Sequence, residues 1–337
     1  RHDVESRGLG DVYKRQINNQ DNKNVRNEGN KLKYLYIYNY SPHEQNLCEM
    51  EFRHIFHEDM QTKYYITNQD FDYSRSAYIR GKLNILYESA CFDEIVNFIE
   101  QQNYCYYDFK VIYLKNEITH VPYQESIDKC KQIALPIAGS VNMHHPQTIF
   151  AITKIHEIWY FGIYQNDMRW NQHNDKPYSY SHSLALRDAR AVVNIALGND
   201  LFKTIVDPCC GVGTVVLEGL SMNAHIVGYD INKYVAYQAR LNLEHYGYDP
   251  LLIQRCDMRT LKKTYDVCIL DIPYGVYSPF TYQQQCELLE KTRDIAAELV
   301  LISHVPMQKE LINIGYHMKD QAMIQKGSFQ RYITHCL

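Results

Sequence analysis

The feature that most constrains the fold is a regular alternation of short apolar strands and helices after residue 183. Residues 183–197 have helical spacing and end at Gly198, and residues 204–206 then form a short apolar strand. A further helix is predicted at residues 233–246, and further strands at residues 225–229, 251–253, 267–270, 299–302 and 327–334. Strands that alternate with helices form a parallel sheet covered on both faces. The sequence therefore predicts a doubly wound α/β domain over residues 176–337.

The preceding part of the chain has a different pattern. An aromatic strand at residues 33–40 leads into Ser41-Pro42-His43-Glu44, a capping box with proline at the first helical position. The strands and helices that follow to residue 114 have the order β-α-β-β-α-β, which predicts a smaller α+β, ferredoxin-like domain over residues 31–165. Its later elements are a helix at residues 123–133 and strands at 148–153 and 157–163. The polar residues 166–175 are interpreted as a linker.

Residues 1–30 are predicted to be a non-native or frayed lead-in. The stretch at residues 11–16, Asp-Val-Tyr-Lys-Arg-Gln, resembles a translated sequencing adaptor, so we expect the native protein to begin near Ile17. Neither this lead-in nor any later run is apolar enough for a secretory signal or a membrane span. Ten cysteines without a CxxC pair favour a reducing cytoplasm, and the histidines lack ligand spacing, so no metal site is expected.

A glycine loop follows the first strand of the α/β half: Asp207-Pro208-Cys209-Cys210-Gly211-Val212-Gly213-Thr214. Glycines at a strand-to-helix turn let a ligand approach the backbone closely. A dinucleotide-binding loop would have a third glycine where this chain has Val216. An acid at Asp207 would repel a phosphate but suits the ammonium group of an amino acid. The loop therefore favours S-adenosylmethionine, which has an aminocarboxypropyl group and no phosphate.

Two further acids are expected at the same edge of the sheet. Asp230 ends the next predicted strand, where a carboxylate can accept hydrogen bonds from both ribose hydroxyls. Asp257 follows the third strand and is predicted to hold the adenine amino group, with Met258 on the adenine face. The alternatives are a helix-capping Asp230, a loop Asp257 and a core Met258. The predicted cofactor-binding residues are Asp207, Pro208, Cys209, Gly211, Gly213, Thr214, Asp230, Ile231, Asp257 and Met258.

The fourth strand ends in Asp271-Ile272-Pro273-Tyr274, the predicted catalytic segment. Asp271 and the main-chain carbonyl of Ile272 can accept hydrogen bonds from an exocyclic amino group and favour the positive charge that builds on its nitrogen. Pro273 holds Ile272 in an extended conformation, and Tyr274 offers a ring on which a flipped-out base can stack. A plain β-turn would explain the proline but not the acid before it.

These motifs together resemble the class I S-adenosylmethionine-dependent amino-methyltransferases. Within that class the chain is similar to the THUMP-containing tRNA guanine-N2 methyltransferase family over most of residues 33–337, including residues 176–183 and the closing Phe329-Gln330-Arg331-Tyr332. The resemblance implies a Rossmann-like methyltransferase domain preceded by a THUMP-like RNA-binding domain, with S-adenosyl-L-methionine as cofactor and tRNA as substrate. The chain departs from the family at Ile272, where proline is usual, although the carbonyl is retained.

Charge gives little support for RNA binding by the first domain. Residues 17–165 contain 14 Lys and Arg against 18 Asp and Glu, and the net charge of the whole chain is −4. A protein that binds RNA should neutralise phosphates, so only a local patch around Arg75, Arg80 and Lys82 is a candidate. A solvated charged edge explains that patch equally well.

The sequence thus predicts a cytoplasmic enzyme that transfers a methyl group to an exocyclic base nitrogen of RNA, with guanine N2 of tRNA as the first choice. An adenine-N6 methyltransferase acting on DNA or RNA is one alternative. A second alternative is a non-catalytic RNA-binding protein that keeps the cofactor pocket. In that case Ile272, in place of the usual proline, would explain the loss of catalytic activity. Catalysis by a nucleophilic Cys209 or Cys210 is disfavoured, because that chemistry would place its cysteine where this chain has Asp271.

Overall fold

The computed structural model describes residues 32–180, 183–273, 280–326 and 329–337. Its contacts divide the chain into two units. The first comprises the residues up to Leu35 together with Ile66–Asp70 and Leu83–Gln165, and the second comprises Tyr36–Tyr65, Phe71–Lys82 and Asn166–Leu337. The division falls inside three strands, Lys33–Tyr38, Tyr64–Thr67 and Ile79–Ser89, so neither unit is one continuous stretch of chain. The domain limits predicted from the sequence stay a prediction.

The first sheet has seven strands in the order β2-β1-β3-β7-β6-β4-β5. Its elements, with their helices, are β1 (Lys33–Tyr38), α1 (Gln45–Phe56), β2 (Tyr64–Thr67), β3 (Ile79–Ser89), α2 (Phe92–Gln102), β4 (Cys105–Tyr113), α3 (Tyr123–Ala134), β5 (Ala138–Val141), β6 (Thr148–Ile155) and β7 (Ile158–Gln165). The predicted element order from β1 to β4 is confirmed. However, β7 and β6 stand between β3 and β4, and β5 was not expected. A ferredoxin-like or THUMP-like domain therefore stays a proposal.

The first unit has an aromatic core. Phe109, Phe150 and Phe161 are fully buried, and Ile95 of α2 and Ile133 of α3 pack in the same cluster. Burying side chains of this size stabilises a fold by about 1.5–3 kcal/mol each. The aromatic composition of this part of the chain is thus used mainly for packing.

The second sheet also has seven strands, in the order β10-β9-β8-β11-β12-β14-β13. The strands from β8 to β12 are parallel to one another, and β14 is antiparallel to both β12 and β13. Its elements are α4 (Leu186–Leu197), β8 (Thr204–Asp207), α5 (Thr214–Ser221), β9 (His225–Asp230), α6 (Lys233–His245), β10 (Ile253–Arg255), β11 (Tyr265–Asp271), α7 (Tyr282–Ile295), β12 (Ala296–Ser303), α8 (Gln308–Asn313), β13 (Met318–Lys326) and β14 (Phe329–Cys336). The predicted doubly wound α/β domain is confirmed.

The strand order reverses between β8 and β11, because the chain first builds outward to β10 and then returns to the other side of β8. Ligands of open α/β sheets bind at such a reversal, in the crevice outside the carboxyl ends of the strands. A core cluster that includes Val206, Leu270 and Leu301 holds the strands on both sides of it. The fold thus points to the ends of β8, β9, β10 and β11 as the place for a site.

The interpretation of residues 166–175 as a linker was wrong. Arg169–Asp175 is a 3-10 helix with Trp170 and His173 buried. The His173 ring Nδ1 lies 2.6 Å from Glu218 Oε1, and Glu218 Oε2 accepts a hydrogen bond of 2.6 Å from Arg190 Nη1. These partners lie on α4 and α5, so the segment is part of the second unit.

Helix α1 also belongs to the second unit. Its Glu51 is fully buried and accepts hydrogen bonds from Ser76 and, at 2.8 Å, from Asn194 of α4. Arg53 donates two hydrogen bonds of 2.8 Å to Asp320 of β13. The second unit therefore joins residues that are far apart in the sequence. Within the described ranges, no helix combines the length and apolar character needed to cross a membrane.

Candidate active site

A cavity of about 600 Å³ lies at the carboxyl ends of β8, β9, β10 and β11. Pockets for small molecules and cofactors typically have about 300–1,000 Å³, so its size suits a cofactor. Twelve of the predicted site residues line it: Asp207, Pro208, Cys209, Gly211, Thr214, Asp230, Ile231, Asp257, Met258, Asp271, Ile272 and Pro273. Gly213 does not line the cavity, and Tyr274 lies outside the described residues. The sequence reasoning missed Phe280, Gln284 and Leu288, which close the cavity from the α7 side.

The glycine loop is built by backbone conformation. Gly211 and Gly213 have positive φ angles of 54° and 80°, which residues other than glycine rarely adopt. A Cβ atom on Gly213 would lie 3.3 Å from the Cβ of Ala239 on α6. Gly213 therefore lets the loop turn into α5 and pack against α6, whereas Gly211 lies at the cavity.

One buried asparagine, Asn242 of α6, fixes this loop to a second segment. Its Nδ2 donates to the carbonyls of Val212 and Tyr178, each at 2.9 Å, and its Oδ1 accepts from the Tyr178 N–H at 2.9 Å. The hydroxyl of Tyr180, in the same segment, donates to Gln238 at 3.2 Å, and Tyr180 lines the cavity. The sequence did not single out Asn242; its only signal is a polar residue on the face of α6 that carries Ala236, Ala239 and Leu243.

Asp230 is the last residue of β9 and supports the loop. Its Oδ2 accepts from the Gly211 N–H at 3.1 Å, and its Oδ1 accepts from the Asn232 N–H at 2.7 Å. Helix α6 is capped by the side chain of Asn232, which accepts from the Tyr234 N–H at 3.0 Å. The alternative interpretation of Asp230 as the helix cap is therefore wrong. Burial raises the pKa of Asp230.

Asp257 lies in a short connection after β10. It caps the 3-10 turn Met258–Thr260 by accepting from the Arg259 N–H at 3.0 Å, and it pairs with the Arg259 guanidinium at 2.6 Å. These hydrogen bonds hold the pKa of Asp257 below its usual range. Met258 is 3% exposed, and its Sδ lies 3.7 Å from the Cys209 Sγ. Asp257 is thus a structured loop acid and Met258 a core residue, and both also line the cavity.

Asp271 is the last residue of β11. Its Oδ1 is buried and has no hydrogen-bond partner among the described residues, and burial raises the pKa of this carboxyl group to about 6. The positive charge of Arg331 opposes this rise. Asp207, 3% exposed at the end of β8, has a pKa well above its usual range because of burial and, secondly, the charge of Asp271. With Asp230, three acids of raised pKa thus adjoin one cavity, as is typical of functional sites.

The two residues after Asp271 lie beyond the end of β11 and are held by neighbouring elements. The Ile272 N–H donates to the Ile302 carbonyl at 3.0 Å, and the Ile272 side chain is buried in the core. The Pro273 carbonyl accepts from Gln285 Nε2 of α7 at 2.8 Å. The described part of the predicted catalytic segment is therefore held by β12 on one side and by α7 on the other.

The cysteines of the glycine loop are not activated. Burial raises the pKa of both Cys209 and Cys210 well above the usual thiol value, and the nearby Asp207 raises both further. A nucleophilic cysteine needs a lowered pKa. Among the described residues, no three His, Cys, Asp or Glu side chains are grouped so that they could hold a metal ion.

Strand order, glycine loop and strand-end acids together define the second sheet and its helices as a Rossmann-like class I methyltransferase fold. Residues 175–300 match the family model described as the RMKL-like methyltransferase domain. This segment covers the glycine loop, the three predicted cofactor acids and the whole catalytic segment. The predicted methyltransferase domain is confirmed over this matched segment.

Two curated relatives are named tRNA (guanine(10)-N2)-dimethyltransferase. The protein of Methanothermobacter thermautotrophicus is 31% identical over 123 residues, 36% of this chain and 36% of that protein. The protein of Pyrococcus abyssi is 29% identical over 145 residues, 40% of this chain and 43% of that protein. The similarity thus spans less than half the length of these relatives. The solved structure of TrmN from Thermus thermophilus is 13% identical, with a TM-score of 0.45, covering 90% of this chain and 99% of that chain.

Proposed function

We propose that this protein is an RNA methyltransferase that transfers a methyl group from S-adenosylmethionine to an exocyclic base nitrogen, with guanine N2 of tRNA as the acceptor. The observation that carries the proposal is the buried Asp271 Oδ1, which has no partner among the described residues and adjoins the cavity. An unpaired buried acceptor costs about 1–3 kcal/mol, so such an atom calls for a donor from a ligand. The names of the curated relatives support the choice of guanine N2 and tRNA.

The cavity residues fit the cofactor. Asp207 is buried with a raised pKa, so a cationic ammonium group placed beside it would favour its ionised form. Each carboxylate oxygen of Asp230 accepts one backbone N–H and retains a lone pair for a ribose hydroxyl. Asp257 and Met258 are assigned to the adenine. When bound, S-adenosylmethionine supplies an electrophilic methyl group on a sulfonium centre.

Asp271 is assigned to the acceptor amine. Its carboxylate accepts an N–H hydrogen bond, and the Ile272 carbonyl is proposed to accept a second, which together direct the nitrogen lone pair away from both acceptors. Because the carboxylate is negative, it favours the positive charge that develops on nitrogen during methyl transfer. With a pKa of about 6, Asp271 is mostly ionised at neutral pH. The charged amine can then lose its proton to water, so no strong base is required.

The remaining assignments are also proposals. Tyr274 is assigned to stack on the acceptor base, and the first unit to bind RNA as a THUMP-like domain. A cytoplasmic enzyme fits the cysteines, since all ten are free thiols.

The test uses the full chain, isotopically labelled S-adenosylmethionine and unmodified bulk tRNA, followed by digestion to nucleosides and mass spectrometry. We expect labelled N2-methylguanosine from the parent protein and from the control Asp294→Asn, an exposed acid of α7. Asp271→Asn should bind the cofactor but transfer no label. Labelled methyladenosine would show that the acceptor is adenine and not guanine, while the proposed mechanism of methyl transfer would stand. Bound cofactor without any transfer to RNA would overturn the enzymatic proposal.

A further inference from the structure

We propose that the segment from the end of β10 to the start of β11 is a contact surface for the RNA backbone that begins at the mouth of the cavity. We call Arg255, Arg259, Lys262 and Lys263 the basic edge. The inference rests on the proposed function for the identity of the polyanion, but the surface itself is defined by position and charge.

The position of the basic edge follows from the topology. Strand β10 is parallel to β9 and lies at the edge of the sheet, so its carboxyl end faces the same side as the cavity. The chain leaves β10 there, and residues 256–259 of the loop line the cavity directly. Arg255 Nε lies 3.4 Å from the carbonyl of Ile231, another cavity residue. Lys262 and Lys263 come further along the loop, just before the amino end of β11, and do not line the cavity, so the basic edge runs from the cavity toward the opposite end of the sheet. A nucleotide whose base enters the cavity would therefore place its own phosphates near Arg259, and neighbouring nucleotides would place theirs toward the two lysines.

The charge of the loop contrasts with that of the sequence that follows it. Residues 254–263 contain four cations and one acid, whereas residues 264–337 contain six cations and eight acids. All four cations of the basic edge are exposed. Asp257, the one acid, is paired with Arg259, and neither Lys262 nor Lys263 forms an ion pair with a carboxylate in the part of the chain that the structure describes. An uncompensated positive surface attracts phosphates.

Exposed rings also occur around the cavity that this segment borders. Tyr234 is 75% exposed and Tyr180 is 47% exposed, and Tyr180 lines the cavity while Tyr234 lies between the cavity residues Asn232 and Val235. Ile231, 58% exposed, adds an apolar surface next to Arg255. Cations with exposed aromatic rings favour nucleic acid over an acidic protein, because unpaired bases stack on the rings while the cations hold the phosphates.

The test is a charge reversal, Lys262→Glu together with Lys263→Glu, in the full chain. The control is Lys309→Glu together with Lys319→Glu, two exposed cations on α8 and β13. Binding of unmodified transcribed tRNA is measured by fluorescence anisotropy at several salt concentrations. We expect the reversal to weaken tRNA binding at least tenfold and, for two lost phosphate contacts, to reduce the salt slope by about 1.4–1.8. The cofactor affinity of the reversal variant and the tRNA affinity of the control variant should each change less than twofold.

The outcomes separate this inference from the proposed function. If the reversal and its control bind tRNA equally well, the basic edge is not an RNA surface, whatever the parent protein methylates. If the parent binds no RNA, the inference also fails. If the reversal weakens binding but the parent transfers no methyl group, the surface stands and the proposed reaction falls. A lower melting temperature would reveal whether the double variant unfolds. In that case Lys262→Glu alone is tested, and it should weaken tRNA binding by about half as much on a logarithmic scale. An unchanged tRNA affinity of this single variant would overturn the inference.

Discussion

Asp271→Asn should make the protein more stable while abolishing methyl transfer. The substitution keeps the shape of the side chain but removes a negative charge that is buried at the end of β11. Burial raises the pKa of Asp271 from 3.8 to about 6, so the folded protein prefers the uncharged form by about two pKa units more than the unfolded chain does. At about 1.4 kcal/mol per unit, keeping this group ionised costs the folded protein about 3 kcal/mol at pH 8.

The effect has a defined dependence on pH. Because the folded-state pKa of this acid is raised, the folded protein binds the proton first as the pH falls, and the cost disappears between about pH 6 and pH 3.8. From the same two pKa values, about 1 kcal/mol of the cost remains at pH 4.5. The stabilisation by Asp271→Asn should therefore shrink from about 3 kcal/mol at pH 8 to about 1 kcal/mol at pH 4.5.

Urea unfolding of the parent and the variant at both pH values measures this difference, with Asp294→Asn as the control for loss of an exposed charge. A variant that is no more stable at pH 8, or whose gain is the same at pH 4.5, would refute the argument that Asp271 is held as a buried charge. The same preparations should show at least a hundredfold loss of methyl transfer with cofactor affinity changed less than twofold. Retained transfer would refute the assignment of Asp271 to the acceptor amine.

Three other substitutions test the surroundings of the site. Arg331→Gln removes the cation that lowers the pKa of Asp271, so the acid limb of the pH profile of kcat/KM should move to higher pH. Arg331→Lys should restore the limb to its original position. An unmoved limb would contradict an electrostatic effect of Arg331 on Asp271. Asp230→Ala should weaken cofactor binding at least tenfold by calorimetry, because Gly211 and Asn232 lose their acceptor; an unchanged Kd would show that the ribose assignment is wrong. Asn242→Leu leaves backbone groups of Val212 and Tyr178 unpaired, at a cost of about 1–3 kcal/mol each. The melting temperature should therefore fall by several degrees and the KM for cofactor should rise. Equal melting curves for parent and variant would show that Asn242 does not hold these segments.

The positions of the site acids were predictable from the sequence because each one follows a parallel strand. Asp207, Asp230 and Asp271 end β8, β9 and β11, and neighbouring parallel strands bring their carboxyl ends to one edge. The order of the strands was not predictable in the same way, since it depends on pairings between distant segments. The sequence therefore indicated which residues meet at the cavity, but not that β14 lies between β12 and β13.

The errors arose where tertiary contacts outweigh local composition. Residues 166–175 look like a linker because they are polar, yet Trp170 is buried and His173 contacts the buried Glu218. Polarity alone does not distinguish a solvated segment from one whose polar groups find buried partners. Asn242 shows a different difficulty. The sequence places one polar residue on an apolar helix face but gives no sign of which backbone groups its side chain will bind.

Ile272 shows what a family pattern leaves open. The sequence differs here from the proline that is usual in the family it resembles, and the structure gives this position a further use, since the Ile272 N–H donates to the Ile302 carbonyl at 3.0 Å. A proline has no N–H and would leave that carbonyl without this donor. Ile272 therefore secures the end of β11 through a bond that the proline form lacks.

The ion pair between Arg53 and Asp320 has a consequence for how the protein is made. The two residues are 267 positions apart, and at about 5–20 residues per second the ribosome needs roughly 13–50 s to travel between them. During that interval the polar partners of α1 on α4 and β13 are still being synthesised in turn. Phe52 on the apolar face of α1 can pack early against Tyr38 and Tyr65, whereas Arg53 lacks Asp320 for most of translation. Slow translation should therefore prolong the period in which the polar contacts of α1 are incomplete.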